Sequence, residues 1–162
     1  MAELWDVEID PDHFKQVLGY FSTGVVVVTA LDGGQPVGMS AQSVVSLSLD
    51  PPLVLFCPAR SSTTWPRIQR ARSFALNILA ADQQQLSDGF ARSGADKFAG
   101  VEWAAGHTGA PLLAGAIGHV ECQLENVYPG GDHEIAVGRV VDLGVRRDAS
   151  PLIYFRGAYS SL

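Results

Sequence analysis

Three short segments of this chain carry residues that could bind or orient a ligand. The first is Gly38-Met39-Ser40-Ala41-Gln42-Ser43, which lies between two apolar stretches. Its small side chains would let a ligand approach the backbone, and its hydroxyl and amide groups could hydrogen-bond to that ligand. An edge strand or a turn with polar residues in water would have the same composition, so the segment alone leaves both interpretations open.

The second segment, Ala59-Arg60-Ser61-Ser62-Thr63-Thr64-Trp65-Pro66, places one guanidinium and four hydroxyls directly before a predicted helix. Arginine forms charge-assisted hydrogen bonds to phosphate, and the free N–H groups at a helix start attract anions. The segment therefore predicts a phosphate site in an otherwise acidic protein. The alternative is an ordinary helix cap, which needs only one of the four hydroxyls.

The third segment, Pro129-Gly130-Gly131-Asp132-His133-Glu134, places a histidine between two acids at a turn. Such a histidine can serve as a hydrogen-bond or proton partner for a ligand. A solvated hairpin tip is the alternative interpretation.

Several familiar catalytic motifs are missing from the sequence. Gly38–Gln42 lacks the last glycine of a G-x-S-x-G nucleophile elbow, and no dinucleotide-binding G-x-G-x-x-G or P-loop occurs. The spacing of the histidines gives no support for a metal site; they are His13, His107, His119 and His133. If the protein is an enzyme, a cofactor is expected to carry the reaction.

The composition predicts one globular domain spanning residues 1–162. The chain is 47% hydrophobic and has a net charge of −6, which argues against a nucleic-acid partner and against general affinity for anionic membranes. No apolar run approaches the roughly 18 residues of a membrane span. The acidic N-terminal segment MAELWDVEIDPDHF lacks the features of a secretory signal, so a cytoplasmic location is expected. Cys57 and Cys122 lie in apolar segments and are predicted to be core residues without a disulfide.

The pattern of apolar residues predicts a mainly β fold with a few short helices. Asp10-Pro11 opens a first helix, whose apolar face carries Phe14, Val17, Leu18 and Phe21. Further helices are predicted at Thr64–Arg70 and from Asp82, with Gln85 as its capping-box partner. The predicted strands are Val25–Leu31, Pro36–Ser40, Val44–Leu49, Leu53–Cys57, Ser73–Leu79, Ala116–Val127, Glu134–Val145 and Leu152–Phe155.

Short turns between these strands favour an antiparallel sheet, and the number of strands favours a barrel. Val25–Val28 and Leu53–Cys57 are apolar on both faces. One face would fill the barrel, and the other would be covered by helices or by a second subunit.

The chain resembles the short-chain flavin reductase family, whose members serve two-component flavin-dependent monooxygenases. The resemblance runs from about His13 to Tyr159, and it rests on the order and spacing of many motifs rather than on one of them. The matching segments are Phe21–Thr29, Gly38–Ser43, Ser46–Leu55, Phe74–Leu79, Asp96-Lys97-Phe98, Gly109–Leu113, Gly131-Asp132-His133, Gly138–Val140 and Pro151–Gly157. Phe56–Pro58 together with Asp96–Gly100 looks most similar to actinobacterial reductases that support aromatic or steroid-ring hydroxylases.

The resemblance implies an antiparallel split β-barrel of the FMN-binding type and a homodimer. It further implies NADH-dependent reduction of FMN or FAD, with release of the reduced flavin to a partner oxygenase. The chain departs from the family at Gln42, where asparagine is common, and the longer side chain could alter flavin choice.

The resemblance also implies a set of site residues. Flavin contacts are expected from Met39, Ser40, Ala41, Gln42, Ser43, Cys57, Ala59, Arg60, Ser61, Ser62, Thr63, Lys97 and Phe98. His133 corresponds to the family's histidine near the nicotinamide and is the expected catalytic residue. The nicotinamide side of the pocket is expected to include Tyr154, Phe155 and Arg156 as well.

Some alternatives stay open at this point. A split-barrel relative with tightly bound flavin or with deazaflavin is one, and a flavin-binding module without catalytic activity is another. The sequence does not distinguish FMN from FAD. The lack of an obvious basic pair for a 2′-phosphate favours NADH over NADPH.

Overall fold

The structure is a computed structural model that describes residues 7–94 and 96–162. Met1–Asp6, the first part of the acidic N-terminal segment, and Ala95 lie outside the described residues. The helices are α1 (Pro11–Leu18), α2 (Trp65–Ala71) and α3 (Gln84–Ala91). The strands are β1 (Thr23–Gly24), β2 (Val26–Asp32), β3 (Gln35–Ala41), β4 (Val45–Leu49), β5 (Pro52–Phe56), β6 (Ser73–Ile78), β7 (Trp103–Ala105), β8 (Pro111–Leu113), β9 (Gly118–Gly130), β10 (His133–Val145), β11 (Leu152–Phe155) and β12 (Ala158–Ser161).

The strands of the described residues form three antiparallel sheets. The largest has seven strands in the order β3-β2-β6-β9-β10-β5-β4, and smaller sheets contain β1-β11-β12 and β7-β8. The largest sheet runs from β3 to β4 without these two edges pairing, so the barrel is open. This confirms the predicted mainly β, antiparallel, split-barrel architecture.

The turn between β2 and β3 forms where the sequence predicts it. Gly33 and Gly34 have φ angles of 58° and 84°, which residues with a side chain rarely adopt. Two such residues in succession give a turn whose twist matches that of the flanking strands. Asp32 therefore pairs directly with Gln35, and this register fixes the direction of the side chains along β3.

The core explains why β2 is apolar on both faces. Val28 and Ala30 pack in one cluster with Phe56 and Phe74. Val27, on the opposite face, packs in a second cluster beneath α3 and β11. Burial on both faces needs a continuous apolar run, and this is what the sequence Val25–Val28 supplies.

The helix starts follow the predictions in two of three cases. The Asp10 carboxylate accepts a hydrogen bond from the His13 N–H at 2.8 Å, so α1 begins as predicted. α2 begins one residue later than predicted. The predicted capping pair of the third helix is wrong, because Gln83 Oε1 accepts from the Ala80 N–H at 3.0 Å, and Asp82 forms an ion pair with Arg147.

Both cysteines are free thiols, as predicted. Cys122 is fully buried, and burial raises the pKa of its thiol to about 12. Cys57 is half-buried and lines a cavity instead of lying within the core.

The apolar face of α1 is the main departure from the predicted packing. No residue of α1 is buried, and Phe14 and the nearby Phe21 are 56% and 76% exposed. The helix therefore forms as predicted, but residues 7–94 and 96–162 do not cover its apolar face. None of the helices in residues 7–94 and 96–162 has the length and apolar character needed to cross a membrane.

Candidate functional site

A cavity of about 820 Å³, here called the main cavity, lies where β3, β5, β10 and β11 approach one another. The register of the strands brings Ala59 into a bridge with His133, at the start of β10. Nine of the predicted site residues line this cavity: Met39, Ser40, Ala41, Gln42, Ser43, Cys57, Ala59, His133 and Tyr154. Residues of all three sequence segments thus meet in one place although they are far apart along the chain, but only Ala59 represents the second segment there.

Five further residues line the main cavity and were not predicted: Phe14, Val25, Ser87, Ala91 and Tyr159. Tyr159 could have been found from the sequence, because Gly157 marks a hairpin turn that pairs it with Tyr154. Ser87 and Ala91 lie four residues apart on α3. This spacing predicts that they share one helix face, but it does not predict that the face lines a cavity.

The serines along one wall of the main cavity are held by hydrogen bonds within the protein. Ser40 Oγ donates to the Ser87 carbonyl at 2.7 Å. Ser43 Oγ accepts from the Cys57 N–H at 2.9 Å, so it joins the end of β5 to the segment after β3. Because Ser40 has committed its proton, it presents an acceptor to any ligand in the cavity.

His133 is oriented by its neighbour in the chain. Its Nδ1 lies 2.7 Å from Asp132 Oδ1, and this hydrogen bond lowers the pKa of the Asp132 carboxyl. An ionised carboxylate only accepts, so Nδ1 carries the proton of the bond and Nε2 is the ring nitrogen left for a ligand.

Two tyrosines form an aromatic wall of the same cavity. The rings of Tyr154 and Tyr159 pack edge to face with their centroids 5.3 Å apart. Tyr159 Oη lies 2.9 Å from Ser87 Oγ, and burial raises the pKa of the Tyr159 hydroxyl. This wall offers a fixed flat surface to a planar ligand.

A second cavity of about 390 Å³, here called the lysine cavity, contains three more of the predicted residues: Thr63, Lys97 and Phe98. Lys97 is half-buried, and its Nζ donates to the carbonyls of Gly38 and Phe90, both at 3.1 Å. It also lies 3.3 Å from Thr64 Oγ1. No carboxylate within the described part of the chain pairs with this ammonium.

The environment of Lys97 suits an anionic ligand. Burial lowers the pKa of its ammonium, because a charged group loses hydration when it is partly removed from water. A phosphate at this position would supply the missing negative charge, and a charge-assisted hydrogen bond to it could replace the 3.3 Å contact with Thr64 Oγ1.

Five predicted residues lie outside both cavities. Ser62 Oγ accepts from the N–H groups of Thr64 and Trp65 at 3.2 and 3.1 Å, so it caps the turn before α2. Arg60 Nε donates to the His133 carbonyl at 3.3 Å, and Ser61 is exposed beside it.

Phe155 and Arg156, the other two, turn away towards the end of α1. The Phe155 ring meets Tyr20 edge to face at 6.2 Å, and the Arg156 guanidinium lies 4.9 Å from the centre of the Tyr20 ring. Side chains alternate along a strand, so Tyr154 and Phe155 necessarily face opposite sides.

A cluster of His119, Glu121 and Asp142 has its ligand atoms within 4.8 Å of one another. Most of its polar atoms already have partners, the exception being the buried His119 Nδ1. Glu121 accepts from the His107 N–H and from the N–H and hydroxyl of Thr108 at 2.6–2.9 Å. His119 Nε2 lies 3.0 Å from Asp142 Oδ2. The cluster holds the loop before β8 against the sheet.

This chain is similar, in sequence and in fold, to several known proteins. The chain is 46% identical over 154 residues to the reductase subunit HsaB of a flavin-dependent monooxygenase from Rhodococcus jostii, covering 95% of this chain and 79% of that one. The solved structure of nitrilotriacetate monooxygenase component B from Mycobacterium thermoresistibile superposes with a TM-score of 0.91 at 41% identity, covering 93% of this chain and 86% of that one.

A second similar structure was solved as a complex with ligand fragments. It is the NADH:FAD oxidoreductase SgcE6 from Streptomyces globisporus in complex with NAD and FAD fragments, which superposes with a TM-score of 0.87 at 37% identity and covers 95% of this chain and 95% of that one. The model of the flavin reductase like domain matches residues 18–162. This chain therefore belongs to the flavin reductase-like family.

Proposed function

We propose that this protein is an NADH-dependent flavin reductase that reduces free FMN or FAD and releases the product to a partner oxygenase. The observation that carries the proposal is the main cavity, which gathers the segment 39–43, Cys57, Ala59, His133 and Tyr154 around one space. Its volume of about 820 Å³ lies within the range of about 300–1,000 Å³ typical of ligand sites.

The residues present fit a flavin mononucleotide. The backbone of segment 39–43 and the acceptor on Ser40 offer hydrogen bonds to the polar edge of the ring system. Ala41 leaves room beside it. Lys97, next to Gly38 at the edge of this segment, supplies a cation for the ribityl phosphate, with Thr63 and Phe98 alongside.

The nicotinamide is proposed to lie beside His133 and the tyrosine wall. When both ligands are bound, the nicotinamide supplies a hydride and the flavin accepts it. The chain's part is placement: Tyr154 and Tyr159 restrict the planar rings, and His133 Nε2 orients the carboxamide or the ribose. Holding two reactants in contact turns a bimolecular encounter into a local one.

A homodimer is part of the proposal. Phe14 lines the main cavity, yet it belongs to the exposed apolar face of α1. A second copy that covers this face would remove apolar surface from water and complete the wall of the cavity at the same time.

The test is NADH consumption by the purified protein with FMN, with FAD and without flavin, each in air and under anaerobic conditions. We expect turnover that requires added flavin and saturates with it. Tight flavin binding without NADH consumption would instead indicate a binding module. Turnover without added flavin, by a protein that purifies yellow, would indicate a tightly bound flavin.

A further inference from the structure

The lysine cavity and the main cavity are lined by consecutive parts of the β3 segment. Residues 35–38 line the lysine cavity and residues 39–43 line the main cavity. Lys97 lies at the junction, because its Nζ bonds to Gly38 on β3 and to Phe90, which precedes Ala91 of the main cavity. A ligand with its ring in the main cavity would place its phosphate at the Lys97 end of the lysine cavity, and it would fill the rest of that cavity only if it continued beyond the phosphate.

The charges around the lysine cavity fit more than one phosphate. Arg67 Nε and Arg70 Nη2 both donate to one oxygen, Asp32 Oδ2, at 3.0 and 2.8 Å. One carboxylate thus serves two guanidiniums, and one positive charge stays uncompensated beside the cavity that Arg67 lines. Together with Lys97, this provides two cations for a diphosphate, against the single exposed carboxylate of Asp96.

The remaining surface of the lysine cavity suits a nucleoside. Pro36, Val37 and Phe98 provide apolar surface, and Gln35 provides an amide. The Phe98 ring is held edge to face against Phe90 at 5.0 Å. The volume of about 390 Å³ is at the lower end of the range for ligand sites, which suits one half of a dinucleotide.

We infer that the lysine cavity binds the adenosine monophosphate half of a dinucleotide, with Arg67 contacting its phosphate. The inference rests on the proposed function. FAD is the favoured source, because Gly38 directly precedes the segment proposed to hold the flavin ring, whereas His133 and Tyr154 do not line this cavity. Arg67 would then be a specificity-determining residue that favours FAD over FMN.

The test compares Arg67→Ala with Arg70→Ala, a matched control that loses the same charge and the same Asp32 contact but does not line the cavity. FMN and FAD are titrated separately and binding is followed by flavin fluorescence, without NADH. Arg67→Ala should weaken FAD binding about tenfold, the scale of one charge-assisted hydrogen bond. It should leave FMN binding within about twofold of wild type. Arg70→Ala removes the excess charge but keeps the Arg67 side chain in the cavity, so it should weaken FAD binding less than Arg67→Ala does and leave FMN binding as in wild type.

A second arm identifies the source of the adenylate. The KM for NADH is measured with FMN as the flavin. A rise in this KM in Arg67→Ala, with FAD affinity unchanged, supports the site and assigns it to NADH. Unchanged FAD affinity together with an unchanged KM for NADH overturns the inference, and so does an equal loss of FMN and FAD affinity.

A third measurement needs no variant. AMP, whose single phosphate would occupy the position at Arg67, should compete with FAD for the wild-type protein but should not displace FMN, and displacement of neither flavin would overturn the assignment to FAD. These readouts are separate from the proposed function, since a wild-type protein that binds flavins but does not consume NADH would contradict only the latter.

Discussion

At the scale of single residues, Lys97 and His133 are polar side chains at the cavities, and their contacts within the protein do not by themselves explain why they lie there. Lys97 is half-buried among neutral oxygens, and His133 keeps one ring nitrogen free beside the main cavity. Burying a cation without a counter-charge costs free energy, so a structural role by itself is a poor explanation of Lys97. The proposed phosphate ligand would supply the missing counter-charge.

Flavin binding should therefore weaken on the alkaline side. Burial lowers the pKa of Lys97 from its ordinary value of 10.5, so the ammonium is lost at a lower pH than in an exposed lysine. We expect FMN affinity to be flat near neutrality and to fall as the pH approaches 10.5. In Lys97→Arg, which keeps its charge, this fall should disappear; an unchanged pH profile in that variant would contradict the phosphate role.

Without ligand, the lowered pKa of Lys97 affects folding stability in the opposite direction, so that stability rises with pH where flavin affinity falls. Between the lowered pKa of Lys97 and 10.5, the unfolded chain binds more protons at this residue than the folded chain does. The free energy of unfolding should therefore rise with pH across that window. Urea unfolding of wild type and of Lys97→Met measures how the free energy of unfolding changes with pH in each protein. Identical pH slopes would show that Lys97 does not cause the rise.

His133→Ala should raise the KM for NADH more than the KM for flavin. The reason is that Nε2 is proposed to contact the nicotinamide nucleotide and not the flavin. Steady-state kinetics with each substrate varied in turn provides the measurement. His107→Ala, an exposed histidine on the loop before β8, is the control. Equal increases in both KM values would argue against the assignment.

At the scale of elements, the close approach of α3 to β3 shapes both cavities. A Cβ added at Gly38 would lie 2.7 Å from Phe90 Cε1 and 3.2 Å from the Val28 carbonyl oxygen. Only glycine lets the helix approach this closely, and the approach also brings Phe90 O to Lys97 and Ser87 to Ser40.

Gly38→Ala should lower the free energy of unfolding by about 1–3 kcal/mol, the usual cost of overpacking. Gly89→Ala is the matched control, because it lies in α3 with nothing within 4 Å of the added Cβ. That change should be neutral or stabilising by up to about 1 kcal/mol, since alanine favours a helix more than glycine does. Urea unfolding measures the free energy of unfolding of both variants. Equal changes would mean that the contact with Phe90 does not cause the destabilisation by Gly38→Ala.

At the scale of the whole molecule, apolar surface remains exposed after the chain has folded. The face of α1 and the adjoining Phe21 are exposed, and so are Leu143 and Val145 at the far end of β10. Large contiguous apolar patches on a folded chain commonly mark an interface. The patch on α1 adjoins the main cavity through Phe14, so a second copy that covered the patch would also cover part of this cavity.

The protein should therefore be a dimer in solution, and Val17→Glu with Phe21→Glu should convert it to a monomer. Both side chains are more than half exposed in the single chain, so the charges should not prevent folding. Light scattering after size-exclusion chromatography measures the mass, and flavin affinity should fall with loss of the dimer. Lys15→Glu on the same helix controls for the change in charge. A monomeric wild-type protein would refute the homodimer.

Sequence patterns alone predict the class of fold, most strands and most of the residues that line the main cavity. These depend on local physics: alternation of apolar residues, the glycines of the turn after Asp32, and the cap at Asp10. The ordered motifs also placed the chain near its family. Boundaries differed by one to three residues at most strands and helices, because strand ends depend on the partner strand.

Which of the predicted residues share a cavity depends on the tertiary structure and cannot be predicted from the sequence pattern. Ser62 caps a turn, Phe155 and Arg156 face α1, and Lys97 reaches Gly38 across 59 positions of sequence. Tyr159 enters the main cavity through its hairpin partner, and Arg67 lines the second cavity. These positions follow from the strand order β3-β2-β6-β9-β10-β5-β4 and from the side that each residue takes in its strand or helix. The strand order and the side that each residue takes are both set by long-range pairing and packing. Local sequence patterns therefore do not predict them.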